Sequence, residues 1–345
     1  MNKSVDVKRL ILLISIFSSL FFKGHGQAQL PPAISQYMFN PMSCNPAYAG
    51  FYDMAIGSNL FRSQISGFNM FTNTLNFHTS LPVDKMGAGI NITYDQVGIT
   101  QAINVDFAFS YKLVFGANKL SFGAQGSLFN GKNNFDLLKY DVDGINTNDD
   151  IYKNEFVPES QSSITKPNFG LGFLYSGRKF FGGISVPRLF SMVDNAQFVN
   201  NQSSSSNYST RYQPYFTASF GKIIHIKYRY EFKPSFMTKY ITEVGLLADL
   251  NASLLFKKVL WAGISIRNSI QNPEENSGQI FSAFNAIGLM AQLQASSKLK
   301  VGFSYDFLLS NQTLRSQRGY GAPFEIMAAY NFAIFEEQGV HTFLY

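Results

Sequence analysis

The 345-residue sequence is poor in the residues that carry most chemistry: it has one cysteine, one tryptophan and four histidines, and charged side chains make up 14% of it. Cys44 has no disulfide partner in the chain. Pro41, Met42 and Ser43 precede it instead of a lipobox, and it stands more than twenty residues past the only apolar leader, so it reads as an unpaired thiol rather than a lipid anchor. No His or Cys spacing resembles a zinc site. After the leader only His78, His225 and His341 remain. A lipid hydrolase would need a nucleophile, a base and an orienting group to converge. His78, near Thr79 and Ser80 on a strand pattern, is the candidate base; its bland alternative is a polar side chain facing a lumen or an interface. His225 falls in an expected turn. No cofactor is expected, since Gly87, Gly89, Gly123 and Gly302 open no helix and make no phosphate loop. They read as small residues that relieve crowding and let strands coil.

Long apolar runs are also missing. The longest, Leu10 to Phe22, has thirteen residues, whereas a membrane helix needs roughly 20. It follows Lys3, Lys8 and Arg9 and precedes Gly24, Gly26 and Ala28, the three parts of a secretory signal peptide, with cleavage after Gly26 or as late as Ala28. Residues 1–26 carry four basic side chains against one acidic, so the formal +6 of the whole chain falls to +3 in the mature part. That gives nucleic acid little to bind.

What is abundant is Phe, Tyr, Gly and Ser in strict alternation. In AINVDFAFSYKLVF, residues 102–115, Ile103, Val105, Phe107, Phe109, Tyr111, Leu113 and Phe115 share one face, and small or polar residues share the other. Fourteen such segments recur, near 54–67, 72–82, 86–97, 101–115, 120–131, 167–177, 179–189, 212–222, 227–241, 244–256, 259–268, 280–294, 299–309 and 322–334. Tight turns (82–85, 116–119, 176–179, 257–258, 295–298) follow even-numbered segments, and long connections (132–166, 188–211, 269–279, 310–321) follow odd-numbered ones. Outer-membrane barrels keep that parity, with short periplasmic turns and longer outer loops. The fold expected is all-β: a transmembrane antiparallel β-barrel of about 14 strands over 54–334, with an irregular N-terminal segment over 27–53 and a periplasmic tail over 335–345. Tyr111, Phe115, Tyr175, Phe220, Phe256, Tyr330 and Phe332 fall toward the ends of even segments, where a periplasmic aromatic girdle against membrane lipid is expected. DVDGINTNDD, 141–150, gathers oxygen ligands but misses the calcium-loop order, because Gly144 directly follows Asp143; a solvated acidic loop is the alternative. NNQSSSSNYS, 200–209, reads as a flexible loop tip.

QYMFNPMSCNPAYAG, 36–50, has no strand or helix period. Its Asn-Pro pairs hold the residues before proline extended and oppose helix formation. Tyr37, Phe39, Asn40, Pro41, Asn45, Pro46 and Tyr48 are the candidates for a plug or partner-docking element at the periplasmic mouth; the alternative is a simple lead-in to the first strand. With LFRSQISGF at 60–68, this run resembles the start of the PorP/SprF family, outer-membrane proteins of the Bacteroidetes type IX secretion system. FKPSFMTKY (232–240), LNASLLFKKVLWAGISIR (250–267), VGFSYDF (301–307) and FEIMAAYNF (324–332) extend the resemblance across nearly the whole mature chain. GAPFEI departs from the family's Gly-x-His-Glu-like lead into the last strand, and Cys44 stands where an aliphatic residue is usual.

The resemblance implies a non-enzymatic multi-pass protein of the cell outer membrane that supports secretion and surface attachment of a partner adhesin, as in gliding motility. Outer loops 132–166 and 188–211 and the lumen would then contact the secreted protein's C-terminal domain. The alternatives are a core component linked to the periplasmic ring, with other secretion components as partners on that side, and a passive channel or hydrophobic-solute transporter.

Overall fold

The computed structural model describes residues 27–29, 34–65, 70–83, 85–133, 162–199, 205–227, 230–242, 244–271, 285–309 and 322–332. The signal peptide, the 141–150 loop and the 335–345 tail lie outside the described residues.

Strand β1 is Gln27–Gln29, and two short 3-10 turns follow at Pro41–Ser43 and Pro46–Tyr48. The wall then begins: β2 (Ala55–Ile65), β3 (Met70–Ser80), β4 (Met86–Val97), β5 (Thr100–Phe115), β6 (Asn118–Asn133), β7 (Ser162–Ser176) and β8 (Phe180–Arg188). A hairpin, β9 (Met192–Val199) and β10 (Ser205–Tyr212), interrupts it. The wall resumes with β11 (Tyr215–Lys222), β12 (Ile224–Lys227), β13 (Tyr230–Ile241), β14 (Gly245–Phe256), β15 (Leu260–Gln271), β16 (Ala286–Gln294), β17 (Leu299–Leu308) and β18 (Phe324–Phe332).

Each wall strand pairs antiparallel with its sequence neighbour, β18 pairs with β2, and β11 pairs with both β8 and β13. β12 continues β11 along β13, since Gly221 stands opposite Ser235 and Ile224 opposite Phe232. The ring therefore has fourteen wall positions, closed with no free edge, as a spanning sheet requires.

Alternation sorts the two faces. On β5, Ile103, Phe107, Phe109 and Tyr111 are exposed outward, while Ala102, Asp106, Ala108, Ser110 and Lys112 are buried inward. The outward apolar band gains stability by facing lipid rather than water, at roughly 25 cal/mol per Å².

The tight turns expected from the sequence all lie at one end, where left-handed backbone at Gly116 (φ +62°), Lys257 (+51°) and Lys258 (+61°) reverses the chain within two or three residues. The other end, the loop end, holds the long connections, and among the described residues the short link Gly98–Ile99 between β4 and β5 also lies there.

Two expectations need correction. His225 is not in a turn: it lies on β12 opposite Glu231, because Ile224 and Ile226 keep the outward apolar alternation going for four more residues. The 200–209 stretch is not all loop tip, because Ser205–Tyr212 pairs antiparallel with Met192–Val199, and Gln27–Gln29 adds parallel to Thr210–Tyr212.

Candidate functional site

Residues 34–54 run inside the ring. Their course follows from their partners: Ser35 and Gln36 touch wall residues next to the loop end, and Ala49–Asp53 touch residues next to the turn end, where β2 begins.

Each Asn-Pro pair starts a turn instead of only opposing one. Proline at the first helical position loses no hydrogen bond and arrives with its φ preset, so Pro41 and Pro46 each open a single 3-10 turn. The residue before proline is extended at Asn45, as expected (φ −150°, ψ 115°), and its side-chain oxygen caps Ala47 N at 2.9 Å. One turn each is all that the sequence sustains.

Near the loop end the contact is ionic. The Glu325 carboxylate accepts the backbone N–H of Ser35 (2.6 Å) and of Gln36 (2.9 Å). Arg62 clamps Glu325 (2.6 Å) and Asp306 (2.9 Å), while Arg267 binds Asp249 (2.7 Å) and reaches Asp306 (3.4 Å). Ser35 Oγ sits at the centre, accepting from Arg62 (3.1 Å) and Arg267 (2.9 Å) and donating to Asp306 (2.9 Å). All five charged groups are at least 95% buried. Lys239, buried on β13 within electrostatic reach of Asp249, makes the cluster three positive and three negative charges. Balance matters, because an unpaired charge in such a place is expensive.

Near the turn end the contact is steric. A Cβ added at Gly123 would overlap the Pro46–Ala47 backbone, one at Gly172 the Asn45 side chain, and one at Gly87 the backbone of Ala49 and Gly50. Gly89 leaves room for the Met42 sulfur and, closer to the loop-end contacts, Gly302 for the Gln36 amide. These glycines are thus explained by close approach of the inner segment, which corrects the expectation that they only relieve crowding and permit coiling. Hydroxyls fix the backbone once it is close: Ser185 and Thr217 donate to Cys44 O (2.6 and 3.2 Å), Ser121 to Ala47 O (2.7 Å) and Ser110 to Ala49 O (2.6 Å). Asn45 Nδ2 donates across the wall to Phe173 O (3.0 Å).

The remaining candidates lie between these ends. Tyr37, Asn40, Asn45, Pro46 and Tyr48 are buried, and Phe39 and Pro41 are half-buried. Tyr37 Oη accepts from Asn251 at 2.8 Å, and its ring packs with Ile34, Met38, Met237, Met290 and Met327. Phe39 lies under Lys233 Nζ (5.2 Å from the ring centroid), which also sits over Trp261 (4.8 Å). Tyr48 packs edge-on to Phe51 (5.9 Å). At the exit, Lys112 bonds Gly50 O (2.7 Å) and pairs with Asp53, which Lys119 also reaches at 2.6 Å. Burial opposes ionisation of Asp53, but the hydrogen bonds from Lys112 and Lys119 outweigh it and hold the carboxyl below its ordinary pKa.

His78 faces inward, 3% exposed, accepting Gly50 N–H at Nδ1 (3.3 Å) beside the Tyr52 ring (6.2 Å). Its imidazole serves the inner segment. Among the described residues no group of three His, Cys, Asp or Glu is arranged to hold a metal.

On the outside, six of the seven girdle candidates are exposed, and Tyr175 is half-buried. All seven stand on the turn-end part of the wall. Several touch: Tyr175 stacks on Phe180 (5.3 Å), Phe180 neighbours Phe220 (6.4 Å), Phe256 meets Tyr230 (6.1 Å) and Tyr330 meets Phe332 (4.8 Å).

Neither the ionic cluster nor the glycine track was assembled from sequence. Arg62 and Glu325 are 263 positions apart. The available signal was small residues on both sides, Ala47, Ala49 and Gly50 facing inward glycines.

Solved structures with the same architecture include a deletion mutant of the TodX monoaromatic hydrocarbon channel (10% identity, TM-score 0.51, 89% of this chain and 96% of that one). Another is the CymD monoaromatic hydrocarbon channel (10% identity, TM-score 0.50, 85% and 92%). At such identity the likeness is one of fold. No curated protein matches the sequence. The family model for the type IX secretion system membrane protein PorP/SprF matches residues 26–330. With a closed fourteen-strand barrel whose outer face is apolar, the chain is a multi-pass outer-membrane protein and belongs to the PorP/SprF family.

Proposed function

We propose that this barrel is a non-enzymatic support for secretion and cell-surface attachment of a partner adhesin, and that residues 34–54 act as a plug that keeps the lumen from serving as a solute pore. The observation that carries this reading is the inner segment itself. It is anchored at both ends, by the Arg62–Glu325–Asp306 cluster and by the glycine track, so the wall is built around it. The β9–β10 hairpin and the long connections leave the loop end for the adhesin's C-terminal domain, and the turn end faces other secretion components in the periplasm.

The test has two parts. Deleting the gene is expected to abolish surface display of the adhesin and cell spreading; normal display in the deletion strain overturns the partner-specific role and favours a core or redundant one. Purified barrel in liposomes is expected to conduct little. Steady conductance or uptake of an aromatic hydrocarbon by the wild type would overturn the plug and favour a hydrophobic-solute channel.

A further inference from the structure

The turn end carries positive charge in four of its tight turns and next to a fifth. Lys85 closes the β3–β4 turn, Arg178 and Lys179 fill the β7–β8 turn, Lys257 opens the β14–β15 turn and Lys298 closes the β16–β17 turn, all exposed. Lys119 is the second residue of β6, just past the β5–β6 turn, and exposed Lys222 stands at the same level on β11, opposite Phe180. Among the described residues the carboxylates at this end are Asp53 and Glu231. Asp53 is held between Lys112 and Lys119, and Glu231 lies 3.2 Å from His225. Among the described residues the belt therefore carries net positive charge.

Its height and shape identify what it meets. Lys179 adjoins Phe180, Lys257 adjoins Phe256, and Lys222 lies two residues past Phe220, so the cations stand immediately beyond the outward aromatics, on their water side. Aromatic rings settle at the headgroup level of a bilayer, and cations just beyond them reach lipid phosphates. A docked protein covers one sector of a barrel, whereas a leaflet surrounds all of it, as these cations do. We infer that the turn end binds a shell of anionic phospholipid, recognised through headgroup phosphates bearing net negative charge, in the periplasmic leaflet.

Purified full-length protein is reconstituted in nanodiscs of phosphatidylethanolamine with a minor fraction of phosphatidylglycerol, and the lipids retained after mild delipidation are counted by native mass spectrometry. Phosphatidylglycerol is expected to be enriched in the retained shell, each cation contributing up to roughly fivefold, and the enrichment is expected to fall in about 0.5 M salt. The variant K179Q/K222Q/K257Q/K298Q should lose most of it, and the corresponding four Arg substitutions should keep it. A heat-shifted band on electrophoresis verifies that each barrel is folded; if the Gln variant does not fold, the wild-type salt titration decides alone. Equal retention of the two lipids by the wild type, or enrichment unchanged in the Gln variant, overturns the inference. So does a Gln variant with normal lipid retention that fails only to capture an acidic periplasmic protein, which would make the belt a protein dock.

Discussion

Near the loop end the inner segment is gripped by charge, through five buried ionic groups converging on Ser35 and Gln36; near the turn end it is gripped by shape, through glycines that let Asn45–Gly50 lie against the wall. The two grips fail differently. Removing one member of a balanced ionic cluster leaves the others buried and unpaired, so the penalty falls on the wall itself. Adding a side chain to a glycine leaves the wall's own pairing intact and pushes on the segment. Charge thus ties the segment to barrel stability, while shape ties it only to occupancy of the lumen.

The largest expected effect tests the charged end. Arg62→Ala strands Glu325 and leaves Asp306 with Arg267 alone, at 3.4 Å, as its ionic partner, and removing one partner of a buried pair costs about 3–5 kcal/mol. The heat-shift midpoint on electrophoresis should fall clearly, and the double variant with Glu325→Ala should cost less than the sum of the singles. Strict additivity would show that the two groups do not act on each other.

Next comes the shaped end. Gly123→Val places a side chain where Pro46 and Ala47 lie, and overpacking of this kind costs about 1–3 kcal/mol. Residues 34–54 should become accessible to protease while the barrel keeps its heat-shifted band, and conductance should rise. Loss of the band itself would mean that shape, like charge, supports the wall.

That contrast also explains what the sequence discloses. Strands are legible because alternation is local: the lipid face of β5 is written in seven consecutive odd positions, and all fourteen wall segments can be read this way. Where the alternation is short, as in Ile224–Lys227, the segment passes for a turn. The inner site is not legible, because its members are scattered. Arg62, Asp249, Arg267, Asp306 and Glu325 come from five strands, and each alone is an ordinary inward polar residue. Gly87 and Gly123 look like relief of crowding until a backbone is seen against them. The aperiodic Asn-Pro run announces that 34–54 is neither strand nor long helix, but its route from loop end to turn end depends on partners the run does not name.

A smaller effect separates the hub from its spokes. Ser35→Ala removes the hydroxyl between the arginines and Asp306 but leaves every ion pair in place, so the expected loss is about 1 kcal/mol. If it matched Arg62→Ala, the hydroxyl, not the charge balance, would be holding the segment.

The smallest effect lies at the turn-end exit, the one place where charge joins shape. Asp53 is 57% exposed, so its pairing with Lys112 and Lys119 is screened, and a modest contribution is expected. Its sign with pH is fixed. The folded carboxyl ionises below its ordinary pKa, so its contribution is complete above the unfolded value and declines as pH drops from there to the folded one. Wild type and Asp53→Asn should therefore differ slightly in heat-shift midpoint at neutral pH and converge on acidification, while Lys112 keeps its bond to Gly50 O in both. A gap that persists in acid would mean that Asp53 acts through something other than its charge; its left-handed backbone (φ +56°), which asparagine also tolerates, would show instead as a larger loss for Asp53→Ala than for Asp53→Asn at every pH.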